Sequence, residues 1–199
     1  MTRILLIRHG NTDLLHEYLC GRTPGIGLNE EGRQQACELG QILCERYKLA
    51  AVYSSPLERA METAQFVAQP QKLSVIAEEG VNELDFGAWA GARFRDLHNS
   101  PEWQSYNQNR SLKSAPGGET LSNVQSRAWT SLRSIAARYD GETVAVVSHG
   151  DVIRALLVLL LGMPLDHILR FEISAASVSE VSVGDGPPII HSTNYVVQS

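Results

Sequence analysis

The chain has 199 residues, with 43% hydrophobic and 20% charged residues and a net charge of -5. That length and composition suit one domain, or one domain with an elaborated lid, able to bury a sizeable core. The acidic balance speaks against a general nucleic-acid or membrane-surface binder, since both need a basic face. Three cysteines, Cys20, Cys37 and Cys44, lack C-x-x-C spacing and read as reduced thiols, which fits a cytoplasmic protein. The N-terminus enters a strand almost at once, with no signal-type segment expected. The longest apolar run, 155–161, is far short of the roughly 20 residues of a membrane span.

Ile4-Leu5-Leu6-Ile7 is a short continuous apolar run that ends in Arg8-His9-Gly10, the pattern of a strand buried on both faces. Residues 11–28 carry Asn11, Thr12, Asp13, Gly21, Pro24, Gly25 and Gly27 and read as a loop. Asn29 suits an N-cap, and Ala36, Leu39, Leu43 and Tyr47 recur at helical spacing after it. Residues 50–53 form a second strand. Ser55-Pro56-Leu57-Glu58 then opens a helix, with Ser55 as cap, Pro56 at its first position and Glu58 closing a capping box. Arg59 falls in its first turn.

Residues 73–76 read as a third strand. Residues 80–91 are glycine-rich and hold Glu83 and Asp85. Residues 92–119 are polar and irregular, contain Trp103 and Tyr106, and form the expected lid. Thr120 caps a long helix through Val124, Ala128, Leu132, Ile135 and Tyr139. Val144-Ala145-Val146-Val147 then repeats the opening pattern and ends in Ser148-His149-Gly150, with a buried helix from Asp151. Segments 176–183 and 187–192 complete the sheet. The alternation predicts an α/β three-layer sandwich, a mostly parallel central sheet with helices on both faces.

Ligands of such sheets bind beyond the carboxyl ends of the strands. Arg8, His9, Arg59 and His149 all share that address. Arginine forks suit phosphoryl oxygens, and the helix opening at Gly150 adds N–H groups and positive dipole charge. There is no Walker loop and no cysteine phosphate loop, so the nucleophile comes from elsewhere, and a neutral imidazole nitrogen can attack phosphorus. Gly10 lets the backbone approach a ligand closely. The leaving oxygen needs a proton donor, and Glu83 is the candidate, ahead of Asp85 and then Asp151. A metallohydrolase built on His9, His149 and Asp151 is disfavoured by the lack of H-x-x-H or H-x-H spacing. His16, His98, His167 and His191 read as surface residues. Trp103 and Tyr106 suit either the substrate pocket or the packing of the lid.

The segment Leu6-Ile7-Arg8-His9-Gly10-Asn11-Thr12 resembles the R-H-G-x-T signature of the histidine phosphatase superfamily, in its phosphoglycerate mutase-like branch. Further segments resemble it in order: Gly32-x-x-Gln35-Ala36, Ser54-Ser55-Pro56-Leu57-x-Arg59-Ala60-x-x-Thr63-Ala64, Glu83-x-x-x-Gly87-x-Trp89-x-Gly91, Pro116-Gly117-Gly118-Glu119-Thr120 and Ser148-His149-Gly150. The resemblance implies one histidine-phosphatase-like domain over 1–199, with a lid insertion at about 92–119. It implies His9 as nucleophile forming a phosphohistidine, Arg8, Arg59 and His149 on the phosphoryl oxygens, and Glu83 as acid and then base. Asn11, Thr12, Arg22 and Gly150 complete the expected substrate contacts. No metal or organic cofactor is implied.

Two positions depart from the family pattern. Leu15 stands where an asparagine often touches phosphate, and Cys20 stands where a polar residue often precedes the loop glycine; Asn11, His16 or Arg22 would have to compensate. The expected function is hydrolysis of a small phosphomonoester. The alternatives are phosphoglycerate mutase-type transfer, which the short segments after Glu83 and at the C-terminus disfavour, and a non-catalytic phospho-ligand module, disfavoured by retention of every charged group. The expected partner is a small phosphorylated substrate, not nucleic acid or membrane, with a homodimer as the expected assembly.

Overall fold

A computed structural model describes residues 1–196. One six-stranded sheet forms its centre, with strands β1 (Thr2–Arg8), β2 (Leu49–Ser54), β3 (Val75–Ala77), β4 (Thr143–Ser148), β5 (Val178–Val183) and β6 (Ile189–Tyr195) in the order β3-β2-β4-β1-β5-β6. The first four of these neighbours pair in parallel, while β5 pairs antiparallel with β1 and β6 antiparallel with β5. The expected mixed α/β sandwich is therefore observed, with its antiparallel part at the β6 edge.

The buried strands explain why periodicity is invisible in them. Ile4, Leu6, Val144 and Val146 enter one core layer, beneath α5 (Leu121–Arg138) and α6 (Gly150–Leu160). Leu5, Ile7, Ala145 and Val147 enter the other, beneath α1 (Glu30–Arg46) and α2 (Glu58–Ala68). Side chains alternate across a strand, so a strand covered on both faces must be apolar at every position. Asn29 caps α1 by accepting from the Gly32 N–H, and Thr120 caps α5 by accepting from the Asn123 N–H, as expected.

Three local expectations need correction. The capping box at Ser55 does not form: α2 starts at Glu58, Leu57 is its N-cap and no side chain caps it. Ser55 Oγ is drawn to His149 instead, and Glu58 accepts from the Gly25 N–H. The third strand lies at 75–77, because Leu73 still closes the preceding turn by bonding to the Ala68 carbonyl. Residues 92–119 are not wholly irregular, since they hold α3 (Phe94–Leu97) and α4 (Pro101–Gln108). Trp103 and Tyr106 are 5% and 1% exposed and pack edge-on against Trp89, with centroids 5.5 and 5.4 Å away. They pack this segment down.

Residues 92–119 are also stitched to the 11–28 loop. Leu19 N–H donates to the Ala92 carbonyl, Gly91 N–H to Leu19, and Phe94 N–H to Glu17. Arg93 Nε donates to the Tyr18 hydroxyl at 2.8 Å while its guanidinium covers the Tyr18 ring. Among the described residues, no helix is long and apolar enough to cross a membrane.

Candidate active site

The strand order puts the carboxyl ends of β2, β4 and β1 side by side. Arg8 pairs in register with Ser148, and Ser54 with Val147, so the residues that follow these strands converge. They line one cleft of about 240 Å³, with Arg8, His9, Thr12, Arg59, Glu83, Gly150, Asp151 and Arg154 in its wall. Close backbone approach fixes the loop after β1. A Cβ on Gly10 would lie 2.6 Å from the Gly32 carbonyl oxygen, and the Gly10 N–H donates to Thr63 Oγ1 at 3.0 Å.

The tautomer of His9 follows from its partners. Nδ1 lies 2.8 Å from the Gly10 carbonyl, which only accepts, so Nδ1 carries the proton. Nε2 accepts from Arg59 Nε at 3.2 Å and so carries no proton. Burial, then Arg59 and Arg8, hold the His9 pKa well below its usual 6.5, so the ring is neutral. The same reasoning applies to His149. Arg59 Nη2 donates to its Nδ1 at 3.3 Å, and Nε2–H donates to Ser55 Oγ at 2.7 Å. Burial and Arg59 hold this ring neutral as well.

The two arginines are poised for an anion. Arg8 Nη1 donates to the Ile173 carbonyl and Arg59 Nη2 to the Gly21 carbonyl. Arg8 Nε and Arg59 Nη1 are buried, yet neither has a hydrogen-bond partner among the described residues. A buried charged donor without an acceptor is costly, and a bound anion would relieve that cost. Burial lowers both arginine pKa values, Arg154 further disfavouring the charge on Arg8. Gly150 keeps this corner open: a Cβ there would meet Arg8 Nε and Arg154 Nη1, each at 3.4 Å.

Glu83 faces these cations. Its Oε1 accepts from the Leu84 N–H at 2.8 Å, and Oε2 lies 3.8 Å from His149 Nδ1. Burial first, then Asp151, pushes its pKa up to about 7 against the pull of Arg59 and Arg8. Its backbone is clamped: the Glu83 carbonyl accepts from Arg22 Nε at 2.7 Å and Arg127 Nη2 at 3.0 Å, and Glu119 bridges both guanidinium groups. Asp151 stays ionised, because Arg110 and Arg154 outweigh burial and hold its pKa down.

Of the predicted residues, Arg8, His9, Thr12, Arg59, Glu83 and Gly150 line the cleft, and His149 sits behind it, held by Arg59 and Ser55. Asn11 and Arg22 are not in its wall. The Asn11 backbone is spent on Gln35 and Asn29, and Arg22 supports the Glu83 carbonyl. Asp85 caps the turn at Gly87 rather than facing the cleft. His16, Leu15 and Cys20 do line it. The sequence reading missed Arg154, Arg110 and Arg127. Arg154 could have been found, since it follows Gly150 by four residues on one helix face. Arg110, only 4% exposed on the 92–119 segment, and Arg127, within α5, carry no local signal.

The model for the histidine phosphatase superfamily (branch 1) matches residues 4–196. A Mycobacterium tuberculosis protein named bifunctional protein Rv2228c is 37% identical over 180 residues, covering 89% of this chain. This chain spans only about half of it (49%). Phosphoserine phosphatase 1 of Hydrogenobacter thermophilus is 32% identical over 199 residues, with 98% of this chain and 92% of that one covered. The solved structure of Bacillus stearothermophilus YhfR superposes with a TM-score of 0.91 at 31% identity, covering 99% and 98% of the two chains.

Proposed function

The chain belongs to the histidine phosphatase superfamily, and from that premise we propose that it hydrolyses small phosphomonoesters through a phosphohistidine on His9. One observation carries the reading: two buried arginine donors without partners among the described residues, Arg8 Nε and Arg59 Nη1, flank a neutral imidazole whose unprotonated Nε2 is held by Arg59 Nε, a bond it gives up to attack. Arg8, Arg59 and the start of α6 at Gly150 hold the phosphoryl oxygens, with Thr12 beside them, while His149 positions Arg59 from behind through its Nδ1. His9 Nε2 attacks phosphorus, and the bond from phosphorus to the ester oxygen breaks in line. Glu83, as the neutral acid, gives its proton to that leaving oxygen. As carboxylate it then takes a proton from water, the resulting nucleophile attacks phosphorus, and the bond to Nε2 breaks. Inorganic phosphate leaves with His9 neutral and Glu83 protonated again. A carboxyl pKa of about 7 serves both halves of this cycle near neutral pH.

We read the whole chain as one such domain, with 92–119 as its lid; the hydrogen bonds between that segment and the 11–28 loop support this. The free thiols at Cys20, Cys37 and Cys44 support a reducing, cytoplasmic setting. The test is a quenched reaction with a 32P-labelled ester. The expected product is a base-stable, acid-labile label on the protein, lost in His9→Ala together with turnover, and vanadate competing with substrate. Turnover retained in His9→Ala would refute the mechanism.

A further inference from the structure

The cleft wall joins two kinds of residue. Arg8, His9, Arg59 and Gly150 are those placed on phosphate. Leu15, Tyr18, Leu19, Cys20, Phe86 and Phe94, with His16 among them, supply a largely apolar remainder. Leu15 and Cys20 are the two positions where the family pattern often places polar residues. The apolar wall is also fixed in place. Leu19 and Phe86 are 6% and 3% exposed, Phe86 packs edge-on against Tyr106, and the Phe94 N–H is tied to the Glu17 carbonyl.

Two further charged groups in the wall, Asp151 and Arg154, are paired with each other. Asp151 accepts from Arg110 at 3.1 Å and from Arg154 at 3.4 Å, and Arg154 Nε donates to the Phe171 carbonyl at 3.2 Å. A carboxylate on the leaving group would share the wall with the carboxyl groups of Asp151 and Glu83. An apolar ring meets no such repulsion and gains by burying its surface against the apolar wall. A volume of about 240 Å³ is below the roughly 300–1,000 Å³ of drug-sized sites, so the body is small.

We infer, resting on the phosphatase reading above, that the preferred substrates are phosphate esters of small, ring-bearing apolar alcohols that carry no carboxylate. The chain then differs in selectivity from the relative named for phosphoserine.

The experiment compares kcat/KM, by phosphate release, for benzyl phosphate, 2-phenylethyl phosphate, O-phospho-L-serine and 3-phosphoglycerate. All four are alkyl esters, so leaving-group reactivity does not decide the ranking. The two phenyl esters are expected to lead by about tenfold or more, the scale on which apolar pockets discriminate. In Leu15→Asn, a half-buried site, that lead is expected to shrink several-fold. Phosphoserine or phosphoglycerate equalling benzyl phosphate overturns the inference and leaves the phosphatase reading standing. An unchanged lead in folded Leu15→Asn overturns the placement of the ring on this wall. Release from none of the four overturns both. Should the variant not fold, the ranking in the unmodified protein decides alone.

Discussion

Replacing Glu83 by Gln is expected to make the protein more stable above neutral pH and to leave its stability unchanged in acid. Burial, with Asp151 adding to it, raises the Glu83 pKa from the usual 4.5 to about 7. In the unfolded chain the carboxyl ionises above 4.5, whereas the folded protein holds it neutral until about 7. Below 4.5 both states are protonated and the group contributes nothing. As pH rises from 4.5 to 7 the unfolded chain sheds the proton first, and folding stability falls. Above 7 the loss is complete. At about 1.4 kcal/mol per pH step, the rise from 4.5 to about 7 costs about 3 kcal/mol. The group is 13% exposed, so solvent screening removes little of this. Glutamine cannot ionise, keeps nearly the same volume, and still accepts from the Leu84 N–H. Urea unfolding in phosphate-free buffer at pH 4.5, 6 and 8 should show no gain, a partial gain and a gain of about 2–3 kcal/mol. The last corresponds to about 5–10 °C in Tm for a chain of this size. Phosphate must be left out because binding to the folded state stabilises by itself. A gain equal at all three pH values would assign the effect to packing. No gain at pH 8 would show that the carboxyl is not desolvated, and would remove the basis for its role as acid.

The proposed acid role of the same carboxyl predicts a pH dependence of turnover: kcat/KM should fall above pH 7 as Glu83 loses its proton, with loss from protonation of His9 only well below pH 6.5. A profile flat from pH 6 to 9, or identical in Glu83→Gln, would exclude Glu83 as the donor. Gly32→Ala should destabilise the fold by about 1–3 kcal/mol and slow turnover, because its Cβ would lie 2.1 Å from the Asn11 carbonyl oxygen and push the loop carrying His9; thermal melts with kinetics check this. Arg110→Leu leaves buried Asp151 without its 3.1 Å partner and should cost about 3 kcal/mol by urea unfolding, with the alkaline limb of the turnover profile moved upward.

The sheet was legible because its strands carry their signal in composition alone. Ile4–Ile7 and Val144–Val147 are apolar at every position, and only a strand covered on both faces demands that. Their endings in Arg8-His9-Gly10 and Ser148-His149-Gly150 pointed to the cleft for the same topological reason. What sequence could not show is how long side chains share out their donors. Ser55 fits a helix cap by local pattern, yet its hydroxyl is drawn across to His149, from a strand joined to it only through the sheet. Arg22 has the charge of a phosphate ligand but lies behind Glu83, where the carbonyl and Glu119 outcompete the cleft for its donors. Arg110 reaches Asp151 over 41 positions of chain, a distance at which spacing carries no information. Long-range polar pairing is decided by tertiary packing, whereas caps and strand burial are decided locally.

The stitching of residues 17–19 to 91–94 has a consequence for engineering the protein. Wall residues Tyr18 and Leu19 belong to one of these segments, with Leu15 and Cys20 flanking it, and Phe94 belongs to the other; the backbone bonds between them tie the two into a single unit. Grafting either stretch alone from a relative would break a ladder that the other half still expects, and would spoil selectivity by misalignment rather than by altered chemistry. The exchangeable cassette is the pair, transplanted together with the Tyr18–Arg93 clasp that joins it.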